Sequence, residues 1–156
     1  MSQVTVDRVA DGHVARSGGT ERPLTEVAVG VLLRPSSHFL MTSRPAGKAY
    51  AAYWEFPGGK VEPQESLEQA LTRELYEELG IQVLQCQPWQ VQVVDYPHAL
   101  VRLHFFKVLA WSGELVMREG QQAQWQQLPV QVGPVLPGAL PVLAWLAAEQ
   151  GIAQAQ

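Results

Sequence analysis

Between Thr25 and Arg34 the residues Val27, Val29, Val31 and Leu33 alternate with Ala28, Gly30 and Leu32. Apolar side chains on both faces predict a central strand covered from both sides. Pro35-Ser36-Ser37 reads as a turn, and His38–Ser43 as the partner strand. Further along, Ile81–Leu84 and Gln90–Asp95 read as two strands. Leu100–Ala110 is a third, with Val101, Leu103 and Phe105 on one face and Arg102, His104 and Phe106 on the other. Tyr96-Pro97-His98 and Ser112-Gly113 are turns, and Trp125 begins one more short strand.

The period changes to helical in two places. Leu71, Leu75 and Leu79 recur every fourth residue inside Leu67–Leu79, a stretch without Gly or Pro. Ser66 with Gln69 predicts a capping box at its start, and Gly80 a left-handed stop at its end. Pro137–Glu149 predicts a C-terminal helix, with Pro141 in its first turn and Val142, Leu143, Leu146 and Ala147 as its apolar face. Strands, a helix, more strands and a final helix predict an α+β chain, a mixed sheet between helices. Residues 1–22 read as a flexible tail, residues 23–150 as the folded domain, and residues 151–156 as a frayed end.

The first helix carries an unusual acidic load. Glu74, Glu77 and Glu78 fall within an arc of about 100°, beside the leucine stripe. Three carboxylates in that space repel one another. One reading is a solvated acidic face partnered by Arg73. The other is a site for a hard divalent cation such as Mg²⁺, with Mn²⁺ an alternative, which takes oxygen ligands.

Composition narrows the function. The chain has 156 residues, 47% apolar and 17% charged, which fits one globular domain. A net charge of −4 argues against binding a nucleic-acid polymer. Cys86 is the lone cysteine, so no internal disulfide forms. Without a leader or an apolar run of membrane-spanning length, the sequence reads as soluble and cytoplasmic, with no membrane partner, as a monomer or homodimer. His38, His98 and His104 have no visible partner in sequence and receive no role.

The acidic helix belongs to a longer pattern. Gly59, five residues, Glu65, seven residues, then Arg73-Glu74-Leu75-Tyr76-Glu77-Glu78-Leu79-Gly80-Ile81 occupy 23 residues with fixed spacings. This resembles the Nudix box. Val27-Ala28-Val29-Gly30-Val31 and Glu55-Phe56-Pro57-Gly58-Gly59-Lys60 are similar to the MutT branch of that family, the nucleotide-pool sanitising pyrophosphohydrolases. The resemblance implies an α/β/α sandwich and a nucleotide substrate cleaved with Mg²⁺ to a monophosphate and pyrophosphate. It implies that Glu74, Glu77, Glu78 and the Gly58 carbonyl hold metal. Arg73 and Glu65 join the catalytic set as supports of the loop-helix geometry. It implies that Arg44, Glu55, Phe56, Lys60, Tyr96 and Ala139 face the substrate. From the residues alone, Arg44 reads equally as an exposed loop arginine, and Tyr53, Trp54 and Phe56 equally as core.

Two segments depart from that branch. In Arg118-Glu119-Gly120-Gln121-Gln122-Ala123-Gln124-Trp125, Gln124 stands where the resemblance implies a metal-binding glutamate, with Glu119 a nearby substitute. An amide cannot act as a base, which keeps open a catalytically weak nucleotide-sensing or regulatory domain, and the resemblance also leaves open a hydrolase of another nucleoside diphosphate derivative. In Leu136–Leu143, Ala139 stands where the resemblance implies an asparagine that reads oxidised guanine.

Overall fold

The computed structural model describes residues 6–8 and 22–151. The tail expected over residues 1–22 falls mostly outside the described residues, as does the frayed end from residue 152 on, but the parts described are bound to the fold: Val6–Arg8 pairs with Val93–Asp95, and Arg22 Nη1 donates to Pro97 O at 3.2 Å. The strands are β1 (Val6–Arg8), β2 (Leu24–Arg34), β3 (His38–Ser43), β4 (Trp54–Glu55), β5 (Gly58–Lys60), β6 (Gln82–Asp95), β7 (Leu100–Ser112) and β8 (Ala123–Gln126). The helices are α1 (Leu67–Leu79) and α2 (Leu140–Gln150).

The strands order as β1-β6-β7-β2-β3-β4, with β5 added to β2 and β8 to β3. β2 runs parallel to β7, from Leu24 opposite Leu100 to Leu32 opposite Val108. β6 and β7 form an antiparallel hairpin across Tyr96–Ala99. The sheet is thus mixed and lies between two helices. Ala28 and Leu32 of β2 pack with Leu71, Leu75 and Leu79 of α1. Val29 and Val31, on the opposite face, pack with Val142, Leu143 and Leu146 of α2. The two apolar sets read from Thr25–Arg34 thus go to two separate cores. Gly30 permits the close approach of α1, because a Cβ there would sit 3.0 Å from Leu75 Cδ1. Among the described residues no helix is long and apolar enough to cross a membrane.

Two expectations change. Ile81–Leu84 and Gln90–Asp95 are not separate strands but parts of the single strand β6, whose register slips between Val83 and Gln85 and between Pro88 and Gln90. Among the described residues β6 meets a second neighbour, β1, only at Val93–Asp95. Pro88 therefore withholds no N–H from a second neighbouring strand, and the strand runs through it beside an irregularity in its pairing with β7. The C-terminal helix is also shorter at its start. Pro137–Ala139 is a 3-10 turn, and the α-helix begins at Leu140.

Candidate active site

The caps of α1 form as the sequence predicts. Gln69 N–H donates to Ser66 Oγ at 3.0 Å, and Ser66 N–H to Gln69 Oε1 at 2.8 Å. Gly80 closes the helix at φ 72°. Upstream, β5 pairs antiparallel with β2, Gly58 opposite Val29 and Gly59 opposite Ala28. Gly58 is required by the backbone beside it, and Gly59 leaves room for a side chain. A Cβ on Gly58 would run into the Ala28 carbonyl and lie 2.8 Å from Val29 Cα. A Cβ on Gly59 would lie 2.5 Å from Glu74 Oε1 and closer still to its carboxyl carbon. The Glu74 carboxylate is tucked directly beneath the loop.

Arg73 ties this arrangement together. Its Nε donates to Glu65 Oε2 at 2.7 Å and its Nη2 to Glu65 Oε1 at 2.9 Å, a two-point clasp. Nη2 also donates to the Lys60 carbonyl at 3.0 Å, and Nη1 to Glu74 Oε1 at 2.9 Å and Glu77 Oε2 at 3.2 Å. The Arg73 guanidinium, with the Glu62 N–H, holds Glu65 down at about 2, well below the usual carboxylate range. These contacts join β5, the turn before α1 and the helix itself.

The C-terminal end of α1 is met by residues 116–121. Val116 N–H donates to Leu79 O at 2.8 Å, and Arg118 N–H to Glu78 O at 3.1 Å. The Arg118 guanidinium reaches Tyr76 O at 3.2 Å. The first two satisfy carbonyls that a helix end leaves without partners, and the third gives Tyr76 O a second donor beside the Gly80 N–H. Gln121, 8% exposed, accepts the Glu119 N–H at 2.9 Å and donates to Glu78 O at 3.4 Å. Glu119 is thereby carried to the acidic end of the helix.

A cleft of about 820 Å³ opens here. Its acidic part holds Glu55, Glu62, Glu74, Glu77, Glu78 and Glu119. Burial pushes Glu78 up to about 8, with the charges of Glu119, Glu74 and Glu55 adding and Lys48 opposing. Burial likewise raises Glu74, against Arg73, and Glu55, against Arg44. Several carboxylates share a partly dry space with too little positive charge.

The rest of the cleft is aromatic and apolar. Tyr50, Tyr96, His98, Phe105 and Ala139 line it. The Tyr96 hydroxyl accepts the Gly138 N–H at 2.9 Å, and burial pushes the phenol up to about 12. Arg44 lies between the two parts, its Nη1 donating to Glu55 Oε1 at 3.0 Å and its Nε to Ala49 O at 2.6 Å.

Of the residues singled out from sequence, Arg44, Glu55, Phe56, Gly58, Lys60, Glu74, Glu77, Glu78, Tyr96 and Ala139 come together around this cleft. Glu65 and Arg73 do not line it. Phe56 is 4% exposed and packs with Phe39 at 6.0 Å between ring centres, so it serves mainly as core. Trp54 is equally buried. Gln124 requires correction. It lies in β8 opposite Met41, is exposed, and does not line the cleft, whereas Glu119 does. Its adjacency to Trp125 misdirects the reading, because pairing with β3 governs where that residue points. Lys48, Tyr50, His98 and Gln121 are among the cleft residues that sequence reasoning missed. For Tyr50, the available signal is an aromatic residue in an otherwise small-residue loop just ahead of the paired glycines.

The donor set suits a hard cation, being carboxylate and carbonyl oxygen with unmet negative charge. It is not ready-made. Among the described residues no group of three or more His, Cys, Asp or Glu side chains is already arranged to hold a metal ion. Glu74 and Glu77 instead turn toward Arg73.

The NUDIX domain family model matches residues 24–146. Among curated proteins, an 8-oxo-dGTP diphosphatase of Proteus vulgaris is 40% identical over 94 residues, 60% of this chain and 84% of that protein. A CTP pyrophosphohydrolase of Escherichia coli is 35% identical over 117 residues, 74% of this chain and 86% of that protein. A solved MutT structure, from the pair Aliivibrio salmonicida and Vibrio cholerae, superposes with a TM-score of 0.67 at 32% identity. It covers 81% of this chain and 99% of that one.

Proposed function

The chain belongs to the NUDIX family, and from that premise we propose that it hydrolyses nucleoside triphosphates to monophosphate and pyrophosphate with a divalent cation. The observation that carries this reading is the meeting, in one cleft, of a crowded carboxylate cluster with an aromatic wall. A nucleotide has both a polyanion and a flat base, and a cation reconciles the polyanion with the carboxylates. The similarity to proteins named 8-oxo-dGTP diphosphatase and CTP pyrophosphohydrolase supports the reaction class and leaves the base open.

Glu74, Glu77, Glu78, Glu119 and the Gly58 carbonyl are the groups proposed to hold the cation, Mg²⁺ first and Mn²⁺ as alternative. When bound, such an ion neutralises phosphate oxygens and lowers the pKa of water. The protein's own groups do the rest. Arg73 holds Glu74 and Glu77 until a cation competes for them, and Glu65 keeps Arg73 in place. Gln121 and the Arg118 N–H fix Glu119 against Glu78. Arg44, Lys48 and Lys60 bring positive charge to the cleft for the phosphate chain. Tyr96 and Ala139 face the base, so the base is met by surface rather than by a side-chain amide. A nucleotide-sensing role drew its motive from Gln124, and Glu119 in the cleft removes that motive.

The test is pyrophosphate release from a panel of (d)NTPs with Mg²⁺, with EDTA, and in Glu78→Gln. Loss of one charge at the cluster is expected to lower kcat by about 10²-fold or more while the fold persists. Full turnover in EDTA, or Glu78→Gln within about twofold of wild type, would refute the proposal.

A further inference from the structure

The loop between β3 and β4 has a feature that the hydrolytic cluster does not explain. It is tightly closed on itself. Arg44 N–H donates to Tyr53 O at 2.8 Å, Ala52 N–H to Arg44 O at 2.9 Å, and Tyr53 N–H to Tyr50 O at 3.0 Å. The Arg44 side chain adds its bond to Ala49 O. Within this loop Tyr50 has φ 58° and Ala52 φ 71°, a left-handed backbone that bulky residues rarely adopt. Such conformations persist where surrounding contacts over-determine them, and they gather at ligand clamps.

The strained position presents an aromatic ring to the cleft. Tyr50 lies 5.6 Å from Tyr96 and 5.9 Å from His98, ring centre to ring centre, while Tyr96 and His98 are 5.1 Å apart. Tyr53 braces Tyr50 edge-on at 5.2 Å. Tyr96 is a fixed wall, 5% exposed, with its hydroxyl on Gly138, next to the buried Ala139. Tyr50 comes instead from a loop at the mouth, and all of these residues except Tyr53 line the cleft.

Resting on the nucleotide reading above, we propose that Tyr50 is the residue that covers the nucleobase, recognising it by stacking rather than by its hydrogen-bonding edge. Its ring packs on Tyr96 and His98; when a base enters, these ring–ring contacts are exchanged for ring–base contacts. Stacking tolerates any base, because every base has a π-face. The substrate class is therefore nucleotides with an aromatic base of either kind, held by surface area.

Binding and turnover in the full-length protein test this. The probes are dGMP and deoxyribose 5-phosphate for titration calorimetry, and dGTP and deoxyribose 5-triphosphate for turnover. Loss of one base–aromatic stack weakens affinity by about 5- to 150-fold. Tyr50→Ala is expected to weaken dGMP by that factor and leave deoxyribose 5-phosphate unchanged. For turnover it is expected to raise KM for dGTP but not for the base-free triphosphate. Tyr50→Phe, which keeps the ring, restores dGMP binding. Equal weakening of both monophosphates, no weakening, or Tyr50→Phe as damaging as Tyr50→Ala would overturn the proposal. So would a wild type that binds dGMP no tighter than the base-free sugar phosphate. If the wild type releases pyrophosphate from no nucleotide, the hydrolase reading fails, and the dGMP titration still decides the role of Tyr50.

Discussion

Replacing Gly59 by alanine adds one methyl group at the point where the loop presses on α1. Gly59 is not in a left-handed conformation, so the backbone itself tolerates alanine. The collision is with one side chain, since the new Cβ would lie 2.5 Å from Glu74 Oε1. Either β5 lifts from the helix or the Glu74 carboxylate leaves its place and loosens its bond to Arg73. Overpacking of this kind costs about 1–3 kcal/mol, which for a domain of this size lowers Tm by roughly 2–12 °C. Activity is expected to fall further than stability, because a misplacement of about 1 Å at a reacting group costs about 10²-fold. The discriminating variant is Gly59→Ala combined with Glu74→Ala. Truncating Glu74 removes what the methyl group strikes, so the double variant is expected to regain most of the lost Tm while remaining inactive. Calorimetry and pyrophosphate release on the four proteins of the cycle measure both effects. A double variant no more stable than Gly59→Ala alone, or a fully active Gly59→Ala, would refute the claim that the glycine exists to admit Glu74.

The placement of Glu119 predicts that Glu119→Gln lowers kcat by about tenfold or more, while Gln124→Glu leaves it within about twofold; the reverse pattern in steady-state kinetics would return Gln124 to the site. Glu65 is held at about 2 against an ordinary 4.5, so its ionised form favours the folded state. That contribution is full above pH 4.5 and is lost as the pH falls toward 2. The Tm gap between wild type and Glu65→Gln is therefore expected to narrow over this window, and a constant gap would contradict the Arg73–Glu65 linkage. Ala139 offers the base only contact area, which discriminates by roughly 1–3 kcal/mol per group. The ratio of kcat/KM for 8-oxo-dGTP over dGTP is then expected to stay below about 10⁴, with Ala139→Asn changing the order of preferred bases; an unchanged order would place residue 139 away from the base.

The parts legible in the sequence are those that depend on neighbours along the chain. The caps Ser66, Gln69 and Gly80, the leucine stripe of α1 and the carboxylate arc all follow from a period of 3.6 residues within one helix. The two-faced alternation of β2 is equally local, and it announced two separate cores before either helix was placed. The family resemblance rests on the same local spacing. Tertiary structure alone decided what crosses the chain. It joined β6 through Pro88, because among the described residues only Val93–Asp95 of that strand have a second neighbour. The resemblance set Gln124 at the place of a metal-binding glutamate, with Glu119 as a nearby substitute, yet residues 116–121 bond to the Glu78 and Leu79 carbonyls at the end of α1 and bring Glu119 to the cleft. Tyr50, Tyr96 and His98 form one cluster because a strained loop folds back over a hairpin turn, and no periodicity records that. The helix could be read because its partners lie three and four residues apart. The cleft could not, because each of its walls is held by hydrogen bonds and packing to residues far away in the chain.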